Sequence, residues 1–340
     1  MRSKRYIAIL IALAIAIAML FCSRGHKRFF TSEGVVWTTD YHITYEATRD
    51  LTDSIQLILG NLDKSVSPYN KTSLITAING NTASCVDAYL KRLINASRIV
   101  NRESDGAFDP TVMPLVNAWG FGYKNGTPPT RAQLDSILQF IGMDKITLHG
   151  DTLVKSDPRV MLDFSSIAKG MACDEIGRML VRNGADNWLV EIGGEVMASG
   201  HNSRNTPWNI SVDMPISYTG TVLLYENSHE SAMTLSIDSG AVATSGNYRK
   251  WRIEGGNKLS HIIDPHTGSS QAGTLLSVTI IARDCMTADA WATACMVMGE
   301  EKVKELMQNR RDLGVMTISA DTINDALVVW SNAPIADHIQ

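Results

Sequence analysis

The sequence predicts an α+β fold, with mixed sheets and helices packed on them, from three observations. Its first half alternates strand-like and amphipathic helical stretches, its second half is mostly β, and a strand-like run from Leu275 to Ala282 leads into an apolar helix near the C-terminus. With 340 residues, 44% hydrophobic and 19% charged, the chain can bury a sizeable core as one large domain or two lobes.

The chain starts basic. Residues 1–28 hold Arg2, Lys4, Arg5, Arg24, Lys27 and Arg28 and no acid, leaving 25 basic against 35 acidic residues in the remainder. An acidic body argues against a nucleic-acid partner. Tyr6 to Phe21 is an apolar run, short for a membrane span but suited to a secretory signal. Cys22, followed by Ser23, stands where a bacterial lipoprotein cysteine is acylated, although Phe21 occupies a position that processing prefers small. The alternative is an uncleaved single-pass anchor. Either way residues 1–28 read as a signal or anchor segment, and residues 29–340 as one domain on the extracytoplasmic, periplasmic face of the cytoplasmic membrane. Cys85, Cys173, Cys285 and Cys295 show no CxxC spacing, so neither a zinc site nor a disulfide framework is indicated.

Val35 to Tyr45 reads as a strand, and Leu51 to Leu62 as a helix with Leu51, Ile55, Ile58, Leu59 and Leu62 on one face. Ser67-Pro68-Tyr69-Asn70 is a turn, in which Tyr69 is either an ordinary exposed tyrosine or a stacking platform for a planar ligand. A second amphipathic helix, Val86 to Glu103, ends at the tight loop Asp105-Gly106-Ala107-Phe108-Asp109-Pro110, where Asp109 caps the next segment or contacts a ligand. Arg131 to Phe140 forms a third helix, with Thr130 as N-cap and Gly142 as stop. Strands follow at Trp188–Ile192, Trp208–Val212, Thr221–Tyr225 and Met233–Ile237, with Gly193-Gly194-Glu195 in one turn. Ala241–Gly246 and Ser260–Gly268 both end in polar turns marked by glycine.

Two stretches carry candidate chemistry. Val160 to Gly170 reads as a strand, a small-residue turn and a helix running to about Gly184. The helix start presents unpaired N–H groups and Lys169 adds a charge, which would cradle phosphate, although the P-loop spacing is missing. Near the C-terminus, Asp289 and Thr293 stand four apart on one face of an apolar helix that stops at Gly299. A carboxylate and a hydroxyl are costly to bury there unless paired. Asp289 either caps the helix while Thr293 bonds back to the chain, or the two hold a hard cation such as magnesium.

In order and approximate spacing, Asp163-Phe-Ser-Ser-Ile-Ala-Lys-Gly170, Glu191-Ile-Gly-Gly-Glu195, Ala243-Thr-Ser-Gly246, His261-Ile-Ile-Asp-Pro-His-Thr-Gly268 and Ala288-Asp-Ala-Trp-Ala-Thr293 resemble the ApbE family, the FAD:protein FMN transferases. Gly106-Ala-Phe-Asp109 adds an upstream match, and the resemblance runs from about Val35 to the end. It implies an ApbE-like, T-fold-like architecture. It also implies cleavage of FAD at its pyrophosphate and transfer of FMN to a threonine or serine hydroxyl of a partner protein, with AMP released. Redox subunits with extracytoplasmic domains are the acceptor class it suggests.

By the same resemblance, Asp289, Thr293, Ser166 and the carbonyl of Ala168 would bind magnesium. Asp163, Lys169, Tyr69, Ala107, Phe108, Asp109 and Ile263 would contact FAD, and His261 would take the proton of the incoming hydroxyl. Two departures stand out: Trp37-Thr38-Thr39 replaces a Met-Gly-Thr turn, and Ala292 stands where some members have an acid.

Overall fold

The computed structural model of the protein describes residues 26–339 except 123–127, 216–230, 248–250, 255–256, 271–272, 322 and 325. The expectations for Tyr6–Phe21, Cys22 and Thr221–Tyr225 therefore lie outside the described residues. Among the described residues no helix is long and apolar enough to cross a membrane.

The central sheet has eight strands in the order β1-β2-β5-β6-β9-β12-β13-β14, and every neighbouring pair is antiparallel. They are β1 (Arg28–Val36), β2 (Thr39–Ala47), β5 (Trp188–Ile192), β6 (Glu195–Ser199), β9 (Ser239–Gly246), β12 (Leu275–Ala282), β13 (Gly314–Asp321) and β14 (Ala326–Ser331). Three small antiparallel pairs stand apart: β3 (Ile146–His149) with β4 (Thr152–Lys155), β7 (Trp208–Asp213) with β8 (Ser231–Ile237), and β10 (Trp251–Glu254) with β11 (Asn257–Ser260).

Nine α-helices are described: α1 (Thr52–Val66), α2 (Leu74–Asn79), α3 (Ala88–Glu103), α4 (Met113–Ala118), α5 (Arg131–Leu138), α6 (Ala168–Arg182), α7 (Cys285–Met298), α8 (Glu300–Met307) and α9 (Ala333–Ala336). Their ends follow local chemistry. Asp87 caps α3, Thr130 and Gln133 form a capping box on α5, and Gly299 at φ +78 closes α7.

Strand β12 is buried at every position because both faces are covered. Val278 and Ile280 pack into the main core with Ile176 and Leu180 of α6 and Trp291 and Cys295 of α7. Ile281 turns the other way, against Ile210, Val212, Leu235 and Ile237 of the β7–β8 pair. A satellite cluster of Leu115, Trp119, Leu134, Ile141, Leu259 and Ile263 joins α4 and α5 to the loop after β11.

Three sequence expectations are corrected. Val35–Tyr45 is two strands joined by a two-residue turn at Trp37-Thr38, which adopt φ +50 and +65. Neither residue favours the left-handed region, so the sequence carries no turn signal there. Val160–Asp163 is extended but joins no sheet. One parallel bridge links Met161 to Val112, and the side chain of Asn79 bonds both the N–H (2.7 Å) and the C=O (2.8 Å) of Leu162, taking the place of a neighbouring strand. Ala241–Gly246, read only as ending in a turn, belongs to the interior strand β9.

Candidate active site

The site is built where the first turns of α6 and α7 meet. Gly170 makes this approach possible, because a Cβ there would lie 2.3 Å from the backbone oxygen of Cys285. Ile167, at the N-cap of α6, provides no side-chain acceptor, and α7 supplies one instead: Oδ2 of Asp289 accepts the Gly170 N–H at 3.0 Å. The arrangement is reciprocal. Asp174 of α6 accepts the N–H groups of Cys285 (2.8 Å) and Met286 (3.1 Å) at the start of α7, beside the helix's own cap, Asp284. Asp289 is therefore a cap, as one sequence reading held, but of another helix than its own.

Charge is concentrated at this crossing. Lys169 makes an ion pair with Glu195, whose side chain is 5% exposed, and the charge of Asp289 also acts on Lys169. Burial works against the lysine's charge, and the two carboxylates overcome it, so Lys169 is held above its usual pKa. Burial raises the pKa of Asp289, opposed by Lys169 and the Gly170 N–H. It raises Glu195 as well, opposed by Lys169. Oε2 of Glu195 is buried with no hydrogen-bond partner.

The turn before α6 is held by Asp163, whose Oδ1 accepts the N–H (2.9 Å) and O–H (2.6 Å) of Ser165. Burial raises the Asp163 pKa against those two bonds. Tyr69 is 60% exposed, and its phenol is raised first by burial and then by the charge of Asp163. The Tyr69 loop is tied to the β1–β2 turn, because Asp63 accepts the Trp37 indole N–H (3.2 Å) and the Asn70 side-chain amide (2.6 Å).

Two loops complete the surroundings. Pro110 accepts the Asp163 N–H at 2.7 Å, which joins the 105–110 loop to the start of α6. The 261–268 loop folds around Asp264, whose carboxylate accepts the His266 N–H and the Thr267 hydroxyl, both at 2.8 Å. Its imidazole of His266 lies 2.9 Å from the carbonyl of Asp105, and its Gly268 carbonyl accepts the Trp119 indole at 2.7 Å. His261, half-buried, stands at the start of the same loop.

Asp163, Ser166, Ala168 and Lys169 lie in the turn and first residues of α6 and Asp289 and Thr293 on α7, the two helices being joined by the Gly170–Asp289 bond, and the loops of Asp109 and His261 are bonded to each other. Phe108 is a core side chain and Ile263 belongs to the satellite cluster, while Ala107 is also buried. Asp109 uses Oδ1 on the N–H and hydroxyl of Thr111, both at 2.7 Å, closing a turn before α4, whose own N-cap Val112 has no side-chain cap bond. Sequence reasoning gave no role to Glu195 or Asp174. Glu195 opens β6 and Asp174 lies within α6, so neither acid leaves a periodic signal, and only the fold brings each to its partner.

Among the described residues no three His, Cys, Asp or Glu side chains gather as a metal cluster. Any cation at the crossing would be held by one carboxylate with hydroxyl and carbonyl oxygens, a donor set that suits magnesium and its retained waters. Asp289 has an oxygen to offer: among the described residues its Oδ1 accepts no hydrogen bond. A separate cavity lined by Ile78, Asn81, Leu153, Lys155 and Pro158 contains none of these residues, and its lysine is already bonded to the carbonyls of Ile78 and Val160.

The ApbE family model matches residues 37–317. The FAD:protein FMN transferase of Haemophilus influenzae is 35% identical over 333 residues, covering 93% of each chain. That of Vibrio cholerae is 32% identical over 325 residues, covering 92% of this chain and 94% of the other. The solved flavin transferase ApbE from Vibrio cholerae superposes with a TM-score of 0.80 at 30% identity, over 92% of this chain and 99% of that one.

Proposed function

The chain belongs to the ApbE family, and we propose that it is an FAD:protein FMN transferase working at the crossing of α6 and α7. The observation that carries this reading is the joining of Lys169, the start of α6 and the buried carboxylate of Asp289 by the Gly170 bond. That combination offers a phosphate both dipole and charge.

FAD is the substrate, with its pyrophosphate against Lys169 and the start of α6. Asp163, Tyr69, Ala107, Phe108 and Asp109 would contact FAD, and Ile263 would supply an apolar contact to the nucleotide. Magnesium, held by Asp289, Thr293, Ser166 and the Ala168 carbonyl, would neutralise charge on the pyrophosphate. The hydroxyl oxygen of a serine or threonine on the acceptor attacks the phosphorus of the FMN half. The bond from that phosphorus to the AMP oxygen breaks, AMP leaves, and the hydroxyl proton passes to His261. The basic, apolar N-terminus supports an exported, membrane-tethered enzyme, and the family resemblance suggests an extracytoplasmic redox protein as its acceptor.

A hydrolase using water in place of the acceptor would need the same site, and a silent flavin-binding lipoprotein would need only part of it. Full-length protein incubated with FAD and Mg2+, with and without a candidate acceptor and with and without chelator, separates the three by mass spectrometry. The expected result is chelator-sensitive AMP release matched by an FMN-sized mass gain on the acceptor. Free FMN instead would indicate the hydrolase, and an absence of FAD binding would remove the proposal. In the same assay His261→Ala slows transfer more than it weakens FAD binding; equal losses would make His261 a binding residue.

A further inference from the structure

Glu195 reaches the site by unusually tight backbone work. It opens β6 after the two-residue turn Gly193-Gly194, at φ +61 and +97, and a Cβ on Gly193 would lie 2.7 Å from the Thr39 hydroxyl. The Gly194 N–H is held by the Glu191 carboxylate at 2.6 Å, and the Cys173 thiol of α6 reaches the Glu195 carbonyl at 3.4 Å. Strand and helix are thus pinned on either side of the Lys169–Glu195 pair.

Lys169 has two carboxylates to choose between. An ammonium on a four-carbon stem is a mobile point charge that pairs with whichever acid is better placed. It pairs with Glu195, while Asp289 spends Oδ2 on Gly170 and keeps Oδ1 without a hydrogen bond among the described residues. The buried, unpartnered Oε2 of Glu195 leaves that carboxylate with spare capacity on the sheet side.

We propose that Glu195 is a positioning residue that holds Lys169 on the sheet side of α6 and so keeps Asp289 open to a cation. This rests on the magnesium reading above. Without the Glu195 carboxylate, the lysine's remaining partner is Asp289, and a cation would have to displace it. A purely structural Glu195, serving only to balance a buried lysine, would change stability and leave cation affinity alone.

The test is thermal unfolding of full-length protein across a Mg2+ titration, which reads binding without turnover. Wild type should gain Tm with Mg2+. Glu195→Gln should need about tenfold more Mg2+ for the same gain, equivalent to about 1.4 kcal/mol. The double variant Glu195→Gln with Lys169→Met should return to near the wild-type midpoint, because the competing ammonium is gone. An unchanged midpoint in Glu195→Gln, or a double variant as weak as the single, overturns the inference. Should Glu195→Gln not fold, Lys169→Met alone decides: a midpoint at or below that of wild type supports the proposal, and a higher one refutes it. A wild type that gains nothing from Mg2+ would remove the magnesium reading together with this inference, whereas a responsive wild type matched by Glu195→Gln would remove the inference alone.

Discussion

Replacing Asp289 with alanine removes two functions at once, and the structure allows them to be separated. The first is structural: the Gly170 N–H loses its acceptor at a helix start that has no other side-chain cap. An unpaired buried donor costs about 1–3 kcal/mol, and loss of an N-cap typically about 1 kcal/mol, describing the same bond from two sides. A destabilisation of about 2 kcal/mol follows for Asp289→Ala. Asparagine keeps an acceptor oxygen of the same reach and removes a buried charge whose pKa burial has already raised. Asp289→Asn should therefore lie within about 1 kcal/mol of wild type in metal-free buffer. The second function is chemical, and both variants should lose Mg2+-dependent AMP release. The assay is urea denaturation with chelator present, comparing midpoints at a common slope, together with product analysis at saturating Mg2+. If alanine proves as stable as asparagine, the cap has no energetic weight. If asparagine keeps wild-type dependence on Mg2+, Asp289 is not a ligand.

Burial raises Asp174 to about 6, offset by the Cys285 N–H and reinforced by the charge of Asp284. The folded value exceeds the ordinary 3.8, so the folded state binds more protons between pH 4 and 6 and loses stability as pH rises through that window. The loss amounts to about 2–3 kcal/mol at about 1.4 kcal/mol per pKa unit. Denaturation at several pH values should show this slope in wild type, and Asp174→Asn should flatten it; an unchanged slope would locate the titration elsewhere. Gly170→Ala should be more damaging than most glycine substitutions in helices, since its Cβ would meet the backbone of Cys285 and not a flexible side chain. A cost of about 3 kcal/mol or more is expected, with loss of any Mg2+-induced gain in Tm. A variant that unfolds like wild type would mean that the two helices can part cheaply.

The parts legible in the sequence were those with a local cause. Thr130 announced α5, Gly299 closed α7, and the run Leu275–Ala282 was found as β12. Lys169, Asp289 and Thr293 stand out because each is a polar residue at a helix start or on an apolar face, whereas Asp163 is marked only by the family resemblance. What stayed hidden depends on partners far along the chain. The hairpin turn at Trp37-Thr38 uses residues that give no turn signal and is held by Asp63 and by sheet pairing. The strands β13 and β14 and the short helices α2, α4 and α8 drew no prediction, since each is fixed by its neighbours more than by its own pattern. The roles of Glu195 and Asp174 exist only once strand and helices are brought together.

The exchange of caps between α6 and α7 bears on how the molecule assembles. Asp284 caps α7 locally, but the start of each helix is completed by the other, through bonds that span 119 and 111 residues of chain. That completion belongs to a late step of folding, after the loop-closure entropy of the intervening strands has been met. The amides of Gly170, Cys285 and Met286 should then exchange with solvent deuterium together, at the slow rate of the whole core. The pocket that receives a mobile substrate would thereby be rooted in the least yielding part of the protein.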